Sequence, residues 1–209
     1  MARPREFDED ALLNAVMRCF WSQGYEATSV KDLTVETGIT AASLYNAYGD
    51  KRGLFRCALD RYVATIMSRI QRAETYPPCE AIGYFLDEIL SRSLNDRERR
   101  GCMLVNSALE LSPHDPEFRE IIADALRRIE AFFLRCVRAG QADGSIANAM
   151  SAEQLAQHLL STVMGVRVLA RARPERELLQ NIVGAALALL QSRPATVSCA
   201  VGRKAARAR

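Results

Sequence analysis

Residues 28–55 read T-S-V-K-D-L-T-V-E-T-G-I-T-A-A-S-L-Y-N-A-Y-G-D-K-R-G-L-F. Thr28 and Ser29 are N-cap residue types, and Val30, Leu33 and Val35 supply apolar positions for a short helix. Gly38 follows Thr37 where a left-handed C-cap is needed, because glycine takes positive φ without steric cost. Ile39 turns inward, Thr40 caps a second helix lasting to about Tyr48, and a third helix opens at Lys51. Leu44 is the buried anchor of the second helix. Around it Thr40, Ala41, Ala42, Ser43, Tyr45 and Asn46 are small or hydrogen-bonding and uncharged. Helix, glycine turn, helix is the layout of a major-groove reader, in which hydroxyls and an amide reach base edges and phosphates. Thr28, Ser29 and Lys31 at the entry are expected DNA contacts, and Lys51 at the exit is the expected phosphate contact.

Two motifs carry a resemblance. F-x-x-x-G-Y-x-x-T-S-V-x-D-L (Phe20 to Leu33) and G-I-T-x-x-S-L-Y-x-x-Y-x-D-K-x-x-L-F (Gly38 to Phe55) resemble the N-terminal domain of TetR-type transcriptional regulators. The likeness covers about the first quarter of the chain. Members of that family often carry an aromatic or histidine where Asn46 and Ala47 stand, so base preference differs here while the docking mode carries over. The resemblance implies a DNA-binding regulator with an effector pocket in its C-terminal body. A helical hairpin that merely packs is the alternative to a DNA reader.

The 209 residues suit one small module and a larger helical body, and 49% are hydrophobic, enough for a sizeable core. We expect residues 1–50 to form the DNA-binding domain, 51–191 an effector-binding and dimerisation domain, and 192–209 a disordered basic tail. The net charge of +3 is no argument for nucleic acid. Arg193, Arg203, Lys204, Arg207 and Arg209 supply five positive charges, and without them the chain carries −2. Residues 1–60 hold seven basic against nine acidic residues, so placement matters more than bulk charge: Lys31, Lys51 and Arg52 fall where groove walls would be. Arg3 and Arg5 suit either a minor-groove arm or a solvated end. No secretory signal or membrane span is present, which points to a cytoplasmic protein. At least 21 residues separate any two of the six cysteines, so neither a redox pair nor a zinc knuckle is encoded, and free thiols are expected.

Beyond the reader the apolar spacing is helical throughout, with no strand alternation: an all-α fold of about nine helices. The stripe from Leu54 to Ile70 outlasts the small module, so this helix must pass from one domain into the next as a rod. Pro78 opens helix five, residues 102–111 form helix six, and Asp115 with Pro116 opens helix seven. Residues from Ala139 read as a glycine-rich turn, Ser151 caps helix eight, and Pro174 opens helix nine. Helix nine is apolar on more than one face, which predicts a homodimer through helices eight and nine. Leu179, Val183, Leu187, Leu190 and Gly165 are its expected contacts, with Gly165 and Gly184 at close crossings.

No nucleophile elbow, phosphate loop or metal-spaced cluster occurs, so neither an enzyme nor a cofactor or metal is expected. The expected partners are double-stranded DNA with a palindromic operator, a second copy of the chain, and a small-molecule or redox effector. The alternative is a constitutive architectural DNA-binding protein with no effector. Effector candidates are Phe85, Met103, Asn106, Glu110, Phe133, His158 and Met164, each of which is also ordinary core material. His158 is read on the inward side of helix eight, lining a cavity or satisfied in the core. R-G-C-M-L-V-N-S-A-L-E-L (Arg100 to Leu111) resembles a segment of a subset of these regulators, some of which sense oxidants or electrophiles at the Cys102 position. Placement in the first turn of helix six, beside Arg99 and Arg100, would favour its thiolate; the alternative is a buried structural thiol.

Overall fold

The computed structural model describes residues 8–191, which form nine helices and no strand. They are α1 (Glu9–Gln23), α2 (Val30–Thr37), α3 (Ala41–Tyr48), α4 (Lys51–Ala73), α5 (Pro78–Asn95), α6 (Met103–Glu110), α7 (Pro116–Asp143), α8 (Ala152–Ala172) and α9 (Arg176–Gln191). The expectations for Arg3, Arg5 and residues 192–209 lie outside the described residues.

Local chemistry sets most boundaries. Asp8 caps α1 through the amides of Asp10 and Ala11. Ser29 and Asp32 cap each other reciprocally at the start of α2. Gly38 ends that helix at φ 68°, in the left-handed region, and its amide donates to Thr34 O. Thr40 then accepts from the amide of Ser43 and Asp50 from that of Gly53, opening α3 and α4. Leu33 and Leu44, both fully buried, hold the two short helices against α1 and α4. Val35 departs from the expected apolar face. It is 75% exposed, because α2 is covered on one side only, by Leu33.

The first half of α4 packs on α1 and α3 through Leu54, Phe55, Ala58 and Leu59, and its second half enters the body through Tyr62, Ile66 and Ile70. In the body α7 lies along α5 and α8, and α9 covers α8 and α5. Helix α7 overruns its expected end at Ala139. It continues to Asp143 and is stopped by Gly144 at φ 82°, while Gly140 stays inside the helix. Ile146 lies 2.7 Å from where a Cβ on Gly140 would stand, so that glycine admits a returning loop and does not break the helix. The same loop closes α9: the amides of Ala147 and Asn148 donate to Leu190 O and the Asn148 side chain to Leu189 O.

Helix α9 also corrects the expected dimer contacts. Leu179, Val183 and Leu190 are buried within their own subunit, at 0–3% exposure, and Leu187 packs partly on the same core. What α8 and α9 leave open is a mostly small-residue surface: Ser161, Gly184, Ala185 and Ala188 are exposed, with the apolar Val168 exposed and Gly165 half-buried beside them. A Cβ on Gly165 or Gly184 would meet nothing within 4 Å, so neither glycine serves a helix crossing inside the subunit.

Candidate nucleic-acid interface and effector cavity

Helix α3 turns Ala42, Ser43 and Asn46 outward and exposed, with Ala41 and Tyr45 half-buried at the edges, while Leu44 points into the core. Thr40 is exposed, its hydroxyl donating to Ser43 Oγ at 3.0 Å. Ser29 and Lys31 are exposed beside this surface. Two expected contacts are placed elsewhere. Thr28 is fully buried, its hydroxyl donating to Gly24 O at 2.6 Å, because it closes the α1–α2 loop. Arg52 turns to the body, its guanidinium paired with Asp115 at 2.8 Å and Glu117 at 2.7 Å. Lys51 is half-buried, its ammonium donating to Glu26 O at 3.2 Å and standing 4.6 Å over the Tyr25 ring.

The small module is joined to the body by a dense junction. Phe55 of α4 meets Phe20 and Tyr25 at 5.0 Å and Phe118 of α7 at 5.2 Å, ring edge to ring face. Arg56 adds a second pair to Glu117 at 2.6 Å. Asp115 both caps α7 and accepts from Arg52, whose hydrogen bonds hold its carboxyl below the usual carboxylate range. Glu110 ends α6 here. It was an effector candidate, but its carboxylate accepts from the amides of Tyr25 at 3.0 Å and Glu26 at 2.7 Å. Glu110 Oε2 lies 2.9 Å from where a Cβ on Gly24 would stand, and Gly24 has φ 90°, so only glycine lets the loop approach this closely.

Between α4, α5, α6, α7 and α8 lies a cavity of about 20 Å³. That is room for about one water molecule. Of the expected effector contacts, Phe85, Cys102 and Met164 line it. Met103 and Phe133 are buried in the surrounding core, and Asn106 donates to Arg100 O at 3.0 Å. His158 is exposed on the open face of α8, contrary to its inward reading, since Leu155 and Leu159 take the core positions. Cys102 is 5% exposed and is the N-cap of α6, one residue before the first turn. Its Sγ accepts from the Tyr62 hydroxyl at 3.4 Å. Arg100 is not its neighbouring charge: that guanidinium pairs with Asp96 and lies 4.5 Å over the Trp21 ring. The arginines among the residues that line the cavity with Cys102 are Arg69 and Arg167. Burial raises the thiol pKa of Cys19 and takes that of Cys136 to about 11, so neither is a poised nucleophile.

Tyr62, Arg69 and Arg167 were missed in the sequence. A usable signal existed, because Arg69 follows Ile66 by three and Arg167 follows Val163 by four, placing both cations on buried stripes. A charged residue in such a register marks either a snorkelling side chain or a site.

Such an exposed reader helix, locked to an all-helical body with an internal cavity, defines a helix-turn-helix regulator. Residues 12–58 match the family model for "Bacterial regulatory proteins, tetR family", and residues 78–186 match "Tetracyclin repressor-like, C-terminal domain". The HTH-type transcriptional repressor ComR of Escherichia coli (strain K12) is 31% identical over 193 residues, covering 90% of each chain. An uncharacterized HTH-type transcriptional regulator of Bacillus subtilis (strain 168), YezE, is 32% identical over 199 residues, covering 91% of this chain and all of its own. Among solved structures, a cysteine mutant of the TetR family transcriptional regulator CifR complexed with 26-bp double-strand operator DNA superposes with a TM-score of 0.80. It is 34% identical and covers 90% of this chain and 100% of its own. The chain belongs to the TetR family. It is a DNA-binding transcriptional regulator and not an enzyme. Among the described residues, no helix is long and apolar enough to cross a membrane.

Proposed function

We propose that the protein is a homodimeric repressor that binds a palindromic operator through α3 and releases it when an effector enters or modifies the cavity. The observation that carries this reading is α3 itself, which presents Ala42, Ser43 and Asn46 on a helix anchored by Leu44. Small side chains let the helix sit deep in a major groove, and Ser43 and Asn46 supply hydrogen bonds to base edges. Residues 1–50 are the DNA-binding part and 51–191 the effector and dimer part, with α4 shared between them. ComR is named a repressor and CifR was captured on operator DNA, which supports the same role here.

Dimerisation would use the open stripe of α8 and α9, where Gly165, Gly184, Ala185 and Ala188 allow two helix pairs to approach closely and His158 lies on the rim. Helix α6 offers a route from cavity to reader. Its N-terminal end carries Cys102 and Leu104 in the cavity wall, and its C-terminal end carries Glu110 on the α1–α2 loop. A shift of eight residues of rigid helix at one end moves the loop at the other. Two reader helices must span about 34 Å, one turn of duplex, so a small rotation of each breaks the match. Oxidation or alkylation of Cys102 would act through the same helix. About 20 Å³ accommodates an added oxygen but no larger adduct without movement of the walls.

Selection of bound duplexes from a random pool, followed by fluorescence anisotropy, tests this reading. Asn46→Ala and Ser43→Ala should each weaken the selected site by about 1–3 kcal/mol, and Lys31→Ala should weaken all duplexes alike while lowering the salt slope by about 1. Ala188→Glu should give monomers in sedimentation. Selected sites without two-fold symmetry, or a wild-type chain that stays monomeric at micromolar concentration, would count against the proposal. Hypochlorite or a quinone should release operator from wild type and not from Cys102→Ser if the thiol is the trigger.

A further inference from the structure

We infer that the effector is a small organic acid, with its carboxylate held between Arg167 and Arg69 and its carbon body in the apolar half of the cavity. The inference rests on the reading of this cavity as the effector site.

Arg167 is 7% exposed, yet among the described residues no carboxylate lies within ion-pair distance of it. Its Nη1 donates to Ser93 Oγ at 3.3 Å, which uses one of five donors. A guanidinium removed from water without a counter-charge destabilises the fold unless something else gains from it. Arg69, 9% exposed, lines the same cavity. Its carboxylate neighbour is Glu88 at 3.5 Å, and that one group is shared with Arg72 at 3.5 Å and Arg92 at 3.0 Å. Two nearly buried arginines therefore border the cavity, and one carboxylate is divided among Arg69, Arg72 and Arg92. Planar guanidinium groups bind carboxylates in a two-point fork, which fits an organic acid better than a spherical halide.

The remaining wall is apolar, with Ile66, Phe85, Ile89, Leu104 and Val163, so the anion's body should be aliphatic or aryl. Arg69 and Tyr62 also border an open surface groove of about 560 Å³ that carries Arg61, Arg72 and Arg92. Arg61 pairs with Asp10 at 2.7 Å, while Arg72 and Arg92 share Glu88 with Arg69, so the groove keeps a net positive charge on the side that Arg69 and Tyr62 close. In its present volume the cavity cannot hold such a molecule, so entry must displace a wall. Met164, half-buried and unbranched, is the side chain that can yield, and Leu104 couples the displacement to α6.

Calorimetric titration of the full-length protein with hexanoate and phenylacetate, against the neutral hexanamide and phenylacetamide, tests the inference. The acids should bind wild type at least tenfold more tightly than their amides. Arg167→Met should abolish that preference, and Arg167→Lys should retain part of it. Amides binding as tightly as acids, an unchanged preference in Arg167→Met, or no binding of either pair would overturn it. Anisotropy on the same samples separates the two readings. Acids that bind with the Arg167-dependent preference but leave the operator bound keep the anion site and remove its role as effector site. Release by a quinone without acid binding keeps the effector role and removes the anion site.

Discussion

Two regions on the same pair of helices treat charge in opposite ways. At the junction, Arg52 and Arg56 of α4 meet Asp115 and Glu117, and Glu110 of α6 caps two amides of the small module. Further along α4 and at the other end of α6, Arg167 is buried beside the cavity with no carboxylate partner among the described residues, and Arg69 has a shared one. The junction reads as finished structure, a rigid transmitter. The cavity reads as structure completed by something that binds.

The largest test of that contrast is Phe55→Ala. Removing the ring that joins Phe20, Tyr25 and Phe118 should cost about 3–5 kcal/mol of unfolding free energy and separate the melting of module and body. A single unshifted calorimetric transition would deny the junction its role. Arg167→Met should move the other way, raising ligand-free stability by about 1–4 kcal/mol in urea titrations, since a desolvated charge is replaced by an apolar side chain of roughly similar volume. Destabilisation instead would make Arg167 a structural group like Arg52. Glu110→Ala should lower stability by about 1–3 kcal/mol and operator affinity with it, because the amides of Tyr25 and Glu26 lose a charged acceptor. Intact DNA binding in that variant would break the α6 route.

The smallest effect is confined to pH. Asp115→Asn keeps a side-chain oxygen to cap α7 and loses the charge facing Arg52. The carboxyl's pKa is lowered in the fold, chiefly by Arg52, so its contribution is present above its unfolded value of about 3.9 and is lost as pH falls through the lower folded value. The stability gap between wild type and Asp115→Asn should stay level from pH 5 to 8 and close in acid. A gap that persists in acid would assign the loss to capping.

The sequence by itself settled what local geometry controls. Thr40, Leu44 and Gly38 announce a capped reader helix after a left-handed turn, and Asp115-Pro116 and Ser151 announce α7 and α8, because caps and periodicity act within a few residues. Of the eight effector candidates the sequence offered, the fold brings Phe85, Cys102 and Met164 to one cavity. Only the tertiary structure decided which partners those helices meet. Glu110 and Arg52 looked like a ligand contact and a phosphate contact, and became junction groups because α6 and α7 fold back on the small module. Leu179, Val183 and Leu190 looked like a dimer seam and were consumed by the subunit's own core, because an apolar helix goes to whichever apolar surface lies nearest. Arg167 was one arginine among many until the fold buried it with no carboxylate partner among the described residues. A side chain's charge is written in the sequence, but the removal of water that gives the charge its meaning happens only when distant helices close around it.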